Sequence, residues 1–118
     1  MVIPETYLSA PEDGDPMKQW LYRIQPKRKT MLRDGPTDRE GKLIGEHFAY
    51  LKDLTEKDVV LLAGRTLNTD ESSFGIVIYL AKDEMEAARI FAEDPAVKAG
   101  VFIGEVYPYS VALVGEFK

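Results

Sequence analysis

A chain of 118 residues, 45% hydrophobic and 30% charged, has the make-up of one ordinary globular domain. With no cysteine and a single histidine it excludes a disulfide framework, thiolate metal centres, a cysteine nucleophile and a multi-histidine zinc site within one chain. A net charge of −5 argues against nucleic acid as a partner, because phosphate binding needs a dense basic face. No apolar run approaches the roughly 18 residues that span a bilayer, so no membrane partner is expected.

Residues 1–17 hold Pro4, Pro11 and Pro16 with a polar cluster at Glu12, Asp13 and Asp15. Proline at that density opposes helix and central strand alike, so this segment reads as an arm preceding a domain at 18–118. It also lacks the basic start and apolar core of a secretory signal, and a cytoplasmic location is expected. "KQWLYRIQP" alternates, with Trp20, Tyr22 and Ile24 on one side, and reads as a first strand ended by Pro26. The basic loop "PKRKTMLRDGP" follows, and Thr37 with Glu40 three residues later forms a capping-box pattern that opens a helix. At about 100° per residue, Leu43, Ile44, His47, Phe48, Leu51 and Leu54 share one sector of that helix, so His47 points inward. Gly41 and Gly45 either permit a close backbone approach or simply weaken the helix.

"VVLLAGRTL" and "FGIVIYLA" read as two largely buried strands joined by a polar connector. Asp83 and Glu86 cap a second helix, for which Met85, Ala88 and Ala92 offer a narrow contact face. "DPAVKAG" is a short helical turn, with Asp94 as cap, Pro95 first and Gly100 closing it. "VFIGEVYPYSVALV" supplies a last strand, interrupted near Pro108. The order strand, helix, strand, strand, helix, strand predicts an α+β, ferredoxin-like sandwich: a four-stranded antiparallel sheet with two helices on one face. The central strands are apolar at successive positions, so the uncovered face is expected to pack against a second copy of the chain.

Histidine alone titrates near physiological pH in its unperturbed state, which makes His47 the sharpest candidate for acid/base work. Asp94 is its natural orienting partner, although an Asp-Pro pair is also an ordinary helix start, and an inward histidine can be a core residue bonded to a carbonyl. Arg33 in the basic loop is a candidate anchor for an anionic substrate group, and Tyr22 and Tyr107 are candidate cavity-lining hydroxyls. No cofactor site is evident, and "GRTLNTDESSFG" lacks the ending of a phosphate loop.

"GEHFAYL", "VVLLAGRT" and "FGIVIYLAKDEMEAARIFAEDPAVKAGVFIGEVYPY" together resemble the YCII-related family of small dimeric α/β-barrel proteins over residues 18–113. The most specific part is "AEDPAVKAGVF". The resemblance implies a pairing of His47 with Asp94 and a homodimer formed through the sheets. It also implies kinship with a branch that acts as a dehydrochlorinase on a chlorinated hydroxyhydroquinone, and with muconolactone isomerases, cofactor-free monooxygenases and some haem-carrying barrels. One departure is Gly64-Arg65-Thr66, where the family often has Gly-Pro, which makes the pocket edge more polar. The expected function is cofactor-independent acid/base chemistry, elimination or isomerisation, on a small, cyclic or aromatic-derived metabolite. The alternative is a dimeric module that holds a small ligand without transforming it.

Overall fold

In the computed structural model, which describes residues 17–117, the alternation of "KQWLYRIQP" becomes strand β1 (Lys18–Pro26) with Trp20, Tyr22 and Ile24 buried on one face. The arm expected over residues 1–17 lies, apart from Met17, outside the described residues. Then come α1 (Met31–Asp34), α2 (Asp38–Glu56), β2 (Val60–Arg65), β3 (Gly75–Ala81), α3 (Glu84–Glu93), α4 (Pro95–Lys98) and β4 (Phe102–Pro108). The strands form one antiparallel sheet in the order β2-β3-β1-β4, with helices on one face, so the fold is the expected α+β ferredoxin-like arrangement.

The helix-side core is built from Trp20, Tyr22, Ile24, Val77 and Tyr79 of the sheet, against Leu51 of α2 and Ala87 and Ile90 of α3. Three of the rings in and around it spend their polar atoms on backbone carbonyls. Tyr79 donates to the Ala87 carbonyl at 2.7 Å, Tyr50 to that of Ile90 at 2.8 Å, and the Trp20 indole to that of Ala81 at 3.1 Å. Burying these rings therefore leaves no orphaned hydroxyl, the condition under which an aromatic adds its apolar area at little polar cost.

The face of α3 differs from the expected one. Met85 is 82% exposed, and Ala88 and Ala92 also face outward, while Ala87 and Ile90 are buried and Phe91 packs against Tyr22 at a centroid distance of 5.1 Å. The stripe that faces the sheet carries the larger side chains Ile90 and Phe91, and it brings the Ala87 carbonyl to Tyr79. Nor do Gly41 and Gly45 mark a close approach, since a Cβ at either would meet nothing within 4 Å. The intimate contact is in the sheet, where a Cβ on Gly104 would fall 1.8 Å from the Arg23 carbonyl oxygen.

The basic loop is more ordered than its composition implies. It contains the short helix α1, whose Met31 is wholly buried against Ala96 and Val101. Thr37 and Glu40 form both halves of the capping box, at 3.1 and 2.8 Å, and the Glu40 carboxylate also receives Arg28 in a two-pronged contact at 3.0 and 2.6 Å. Arg28 further donates to the Gly35 carbonyl at 2.9 Å. The start of α2 is thus tied to both ends of the loop before it. On the opposite face of the sheet no helix among the described residues covers Leu62, Ile103 and Tyr107, which are 41%, 53% and 47% exposed.

The Arg28 guanidinium and the Thr37 amide hold the Glu40 carboxyl down at about 2 from an ordinary 4.5. A depressed carboxyl stabilises the fold above its unfolded value and loses that contribution as pH falls through its folded one. The expected outcome is that thermal unfolding midpoints of the wild type exceed those of Glu40→Gln above about pH 4.5, the gap closing as pH falls towards about 2.

Candidate active site

His47 sits on the sheet-facing side of α2, midway along the helix. Its Nδ1 lies 2.6 Å from Oδ2 of Asp94, the residue that ends α3 and opens α4. The two Asp94 oxygens have separate duties. Oδ1 accepts the Ala96 amide at 3.0 Å and so caps α4, while Oδ2 accepts the Tyr22 hydroxyl at 2.8 Å as well as the imidazole. Helix start and histidine partner, alternatives in the sequence, are both present in one side chain.

Asp94 and Tyr22 have no exposed surface. Burial first, and the neighbouring Asp94 charge second, push the Tyr22 phenol far above its ordinary range, so it remains a donor to the carboxylate at any relevant pH. The His47 side chain is 14% exposed and meets the Phe102 ring edge-on at 5.1 Å. Among the described residues its Nε2 has no hydrogen-bond partner, and no buried side-chain polar atom lacks one. Nε2 is therefore open to space. That space is a cavity of about 360 Å³ between α2 and the sheet, walled by Ile24, Leu51, Val77 and Phe102 near the imidazole and reaching Ala63 and Arg65 on β2.

The chemistry of this arrangement follows from which atoms can donate. A carboxylate accepts only, so Asp94 favours the imidazole tautomer with hydrogen on Nδ1 and a lone pair on Nε2. A molecule in the cavity would face a base whose ring cannot turn, and whose cationic form has a carboxylate beside it. No group of three His, Cys, Asp or Glu side chains gathers as a metal-ligand set among the described residues.

Three expected substrate contacts lie elsewhere. Tyr22 stands behind the pair, its hydroxyl engaged by Asp94, and does not line the cavity. Arg33 is on the outer side of α1, because Met31 takes the inner one, and its 70% exposed side chain turns to Asp34 at 3.3 Å. Tyr107 pairs in register with Leu21, and so stands on the sheet face opposite Trp20, Tyr22 and Ile24. Phe48, Phe74 and Ser73 instead join the cavity wall, as does Arg65. For Arg65 the signal was the polar departure after Gly64; for Ser73, in a polar connector, the sequence offered none.

An α+β sandwich with a histidine–aspartate pair opening on an apolar cavity is the class of protein that fold and site define. A family model described as the YCII-related domain matches residues 20–110, and the chain belongs to that family. Among solved structures it is similar to the 5-chloro-2-hydroxyhydroquinone dehydrochlorinase of Burkholderia phenoliruptrix in complex with 2,5-dihydroxybenzoquinone. The likeness has a TM-score of 0.57 at 22% identity, covers 79% of this chain and 95% of that one, and shows a shared fold. No curated protein matches the sequence. No helix among the described residues is long and apolar enough to cross a membrane.

Nitrogen-15 NMR of the imidazole tests the tautomer. The wild type is expected to carry the hydrogen of its neutral form on Nδ1, whereas in Asp94→Asn, whose amide can donate, the population shifts towards hydrogen on Nε2. Asn keeps an acceptor for the Ala96 amide, so α4 stays capped. Tyr22→Phe, which leaves Oδ2 one donor short, is expected to cost about 1–3 kcal/mol in denaturant unfolding.

Proposed function

We propose that the protein is an enzyme that uses His47 and Asp94 for acid/base chemistry, without a cofactor, on a small cyclic or aromatic-derived metabolite. The observation that carries this is the division of the imidazole: Nδ1 is held by a buried carboxylate while Nε2 is free and meets the cavity. A core histidine would have both nitrogens enclosed. In the proposed step Nε2 takes a proton from the substrate, and the electron pair released either expels a leaving group or moves along the ring until a proton returns at another carbon. Asp94 steadies the imidazolium formed in between, and the flat wall at Phe102 suits a planar ring.

The similar structure is a dehydrochlorinase, which makes loss of hydrogen chloride the first reaction to test. Chloride release from 5-chloro-2-hydroxyhydroquinone and related halogenated hydroquinones should be followed with wild type, His47→Ala and Asp94→Asn. The expected result is turnover by the wild type and a fall of roughly 10²–10⁴-fold in His47→Ala, the usual contribution of a positioned base. Binding across such a panel, with no turnover and no exchange of substrate protons with solvent, would instead make the protein a holder of these molecules.

The uncovered sheet face supports a second part of the proposal, a homodimer packed sheet on sheet. Leu62 and Tyr107 lie on that face with Ile78 and Leu21 between them in register, an apolar row of the kind that is ordinarily buried, and Ile103 lies on it beyond the Arg23–Glu105 pair. Light scattering on purified protein should give twice the 13.3 kDa chain mass. The double variant Leu62→Asp with Ile103→Asp should run as a monomer.

A further inference from the structure

The chain has six arginines, and the structure accounts for five of them. Arg23 meets Glu105, Arg28 meets Glu40, Arg33 meets Asp34, Arg39 donates to the Ala99 carbonyl and Arg89 meets Glu93. Arg65 makes no such contact through its guanidinium among the described residues, yet it is the one ionisable side chain other than His47 in the wall of an otherwise largely apolar cavity. Its placement follows from the sheet register. Ala63 pairs with Val77 and Arg65 with Gly75, and Ile24 also pairs with Gly75, so Arg65 stands on the same side of the sheet as Ile24 and the imidazole. Gly75 puts no side chain beside it.

We propose that Arg65 is the specificity-determining anchor of this cavity, gripping the carboxylate of a planar cyclic or aromatic acid whose ring lies between it and His47. The inference rests on the catalytic reading for the role of His47, but not for the binding itself. A guanidinium offers two parallel donors that match a carboxylate. The protein's net charge of −5 repels anions in general, so retention of one requires a local cation that is not already neutralised. Arg65 is the arginine that meets this requirement at the cavity. At the end of an edge strand, and exposed, it can be replaced without disturbing the core.

The test uses benzoate and its uncharged isostere benzamide as probes, titrated into full-length wild type, Arg65→Gln and Arg65→Lys while the His47 ring resonances are followed. The expected result is that wild type binds benzoate about tenfold more tightly than benzamide, the scale of a charge-assisted hydrogen bond. Arg65→Gln should lose that preference with benzamide affinity unchanged, and Arg65→Lys should restore part of it. Equal binding of the two probes by wild type, a preference that survives in Arg65→Gln, or no response of His47 to either probe overturns the proposal. Arg65-dependent binding in a protein whose His47→Ala variant loses no turnover would sink the catalytic reading alone.

Discussion

A carboxylate without exposed surface persists only if its lone pairs are occupied, because the charged form otherwise loses its hydration for nothing in return. Asp94 satisfies this with an amide from α4, a hydroxyl from β1 and an imidazole from α2. Each donor comes from a different element, so the carboxylate fixes where three pieces of the chain meet. The pose of His47 is thereby a property of the fold. Its ring is held from below by Asp94 and from the side by Phe102, and neither support belongs to a mobile surface chain.

The cavity exists because α2 does not cover the whole of β2. Val60 at the start of that strand is buried, while Ala63, Gly64 and Arg65 at its end are exposed. At the same end of the molecule Leu32 and Ile44 form part of the wall, and both pack against the small cluster around Met31. The Arg28–Glu40 contact therefore acts on the site at a distance. By binding the loop to the first turn of α2 it sets how closely that wall approaches the sheet, with a pair whose carboxylate is nearly buried.

Local signals proved the most legible. Strand β1, the capping box at Thr37 and Glu40, and the Asp-Pro start of α4 depend on neighbours a few residues apart, and the structure reproduces them. The meeting of His47 with Asp94 is different, because 47 residues separate them and no spacing rule connects them; the residue types suggested the pairing and the family resemblance strengthened it. The face of α3 was misjudged because a helix of alanines offers two stripes of similar character, and the sheet chose the one with Ile90 and Phe91. Helix α1 was hidden by its composition, a single buried methionine among basic residues. Arg33 and Arg65 are equally polar in sequence, and only the register of an edge strand and the inward turn of Met31 distinguish a side chain in the wall from one in solvent.

The edge strand beside the cavity has a consequence for how the protein can diversify. Ala63 contributes only a methyl group to the wall, on a strand with a single neighbour in the sheet. A larger side chain there would shorten the space without touching the carboxylate, the imidazole or the guanidinium. On the proposed reading, size, charge and proton transfer fall to different residues, two of them on one face of a strand with Gly64 between them in sequence and the third on a helix. Under the proposed reading, a single substitution at Ala63 would change the bulk of the molecule the cavity accepts while leaving the His47–Asp94 contact in place.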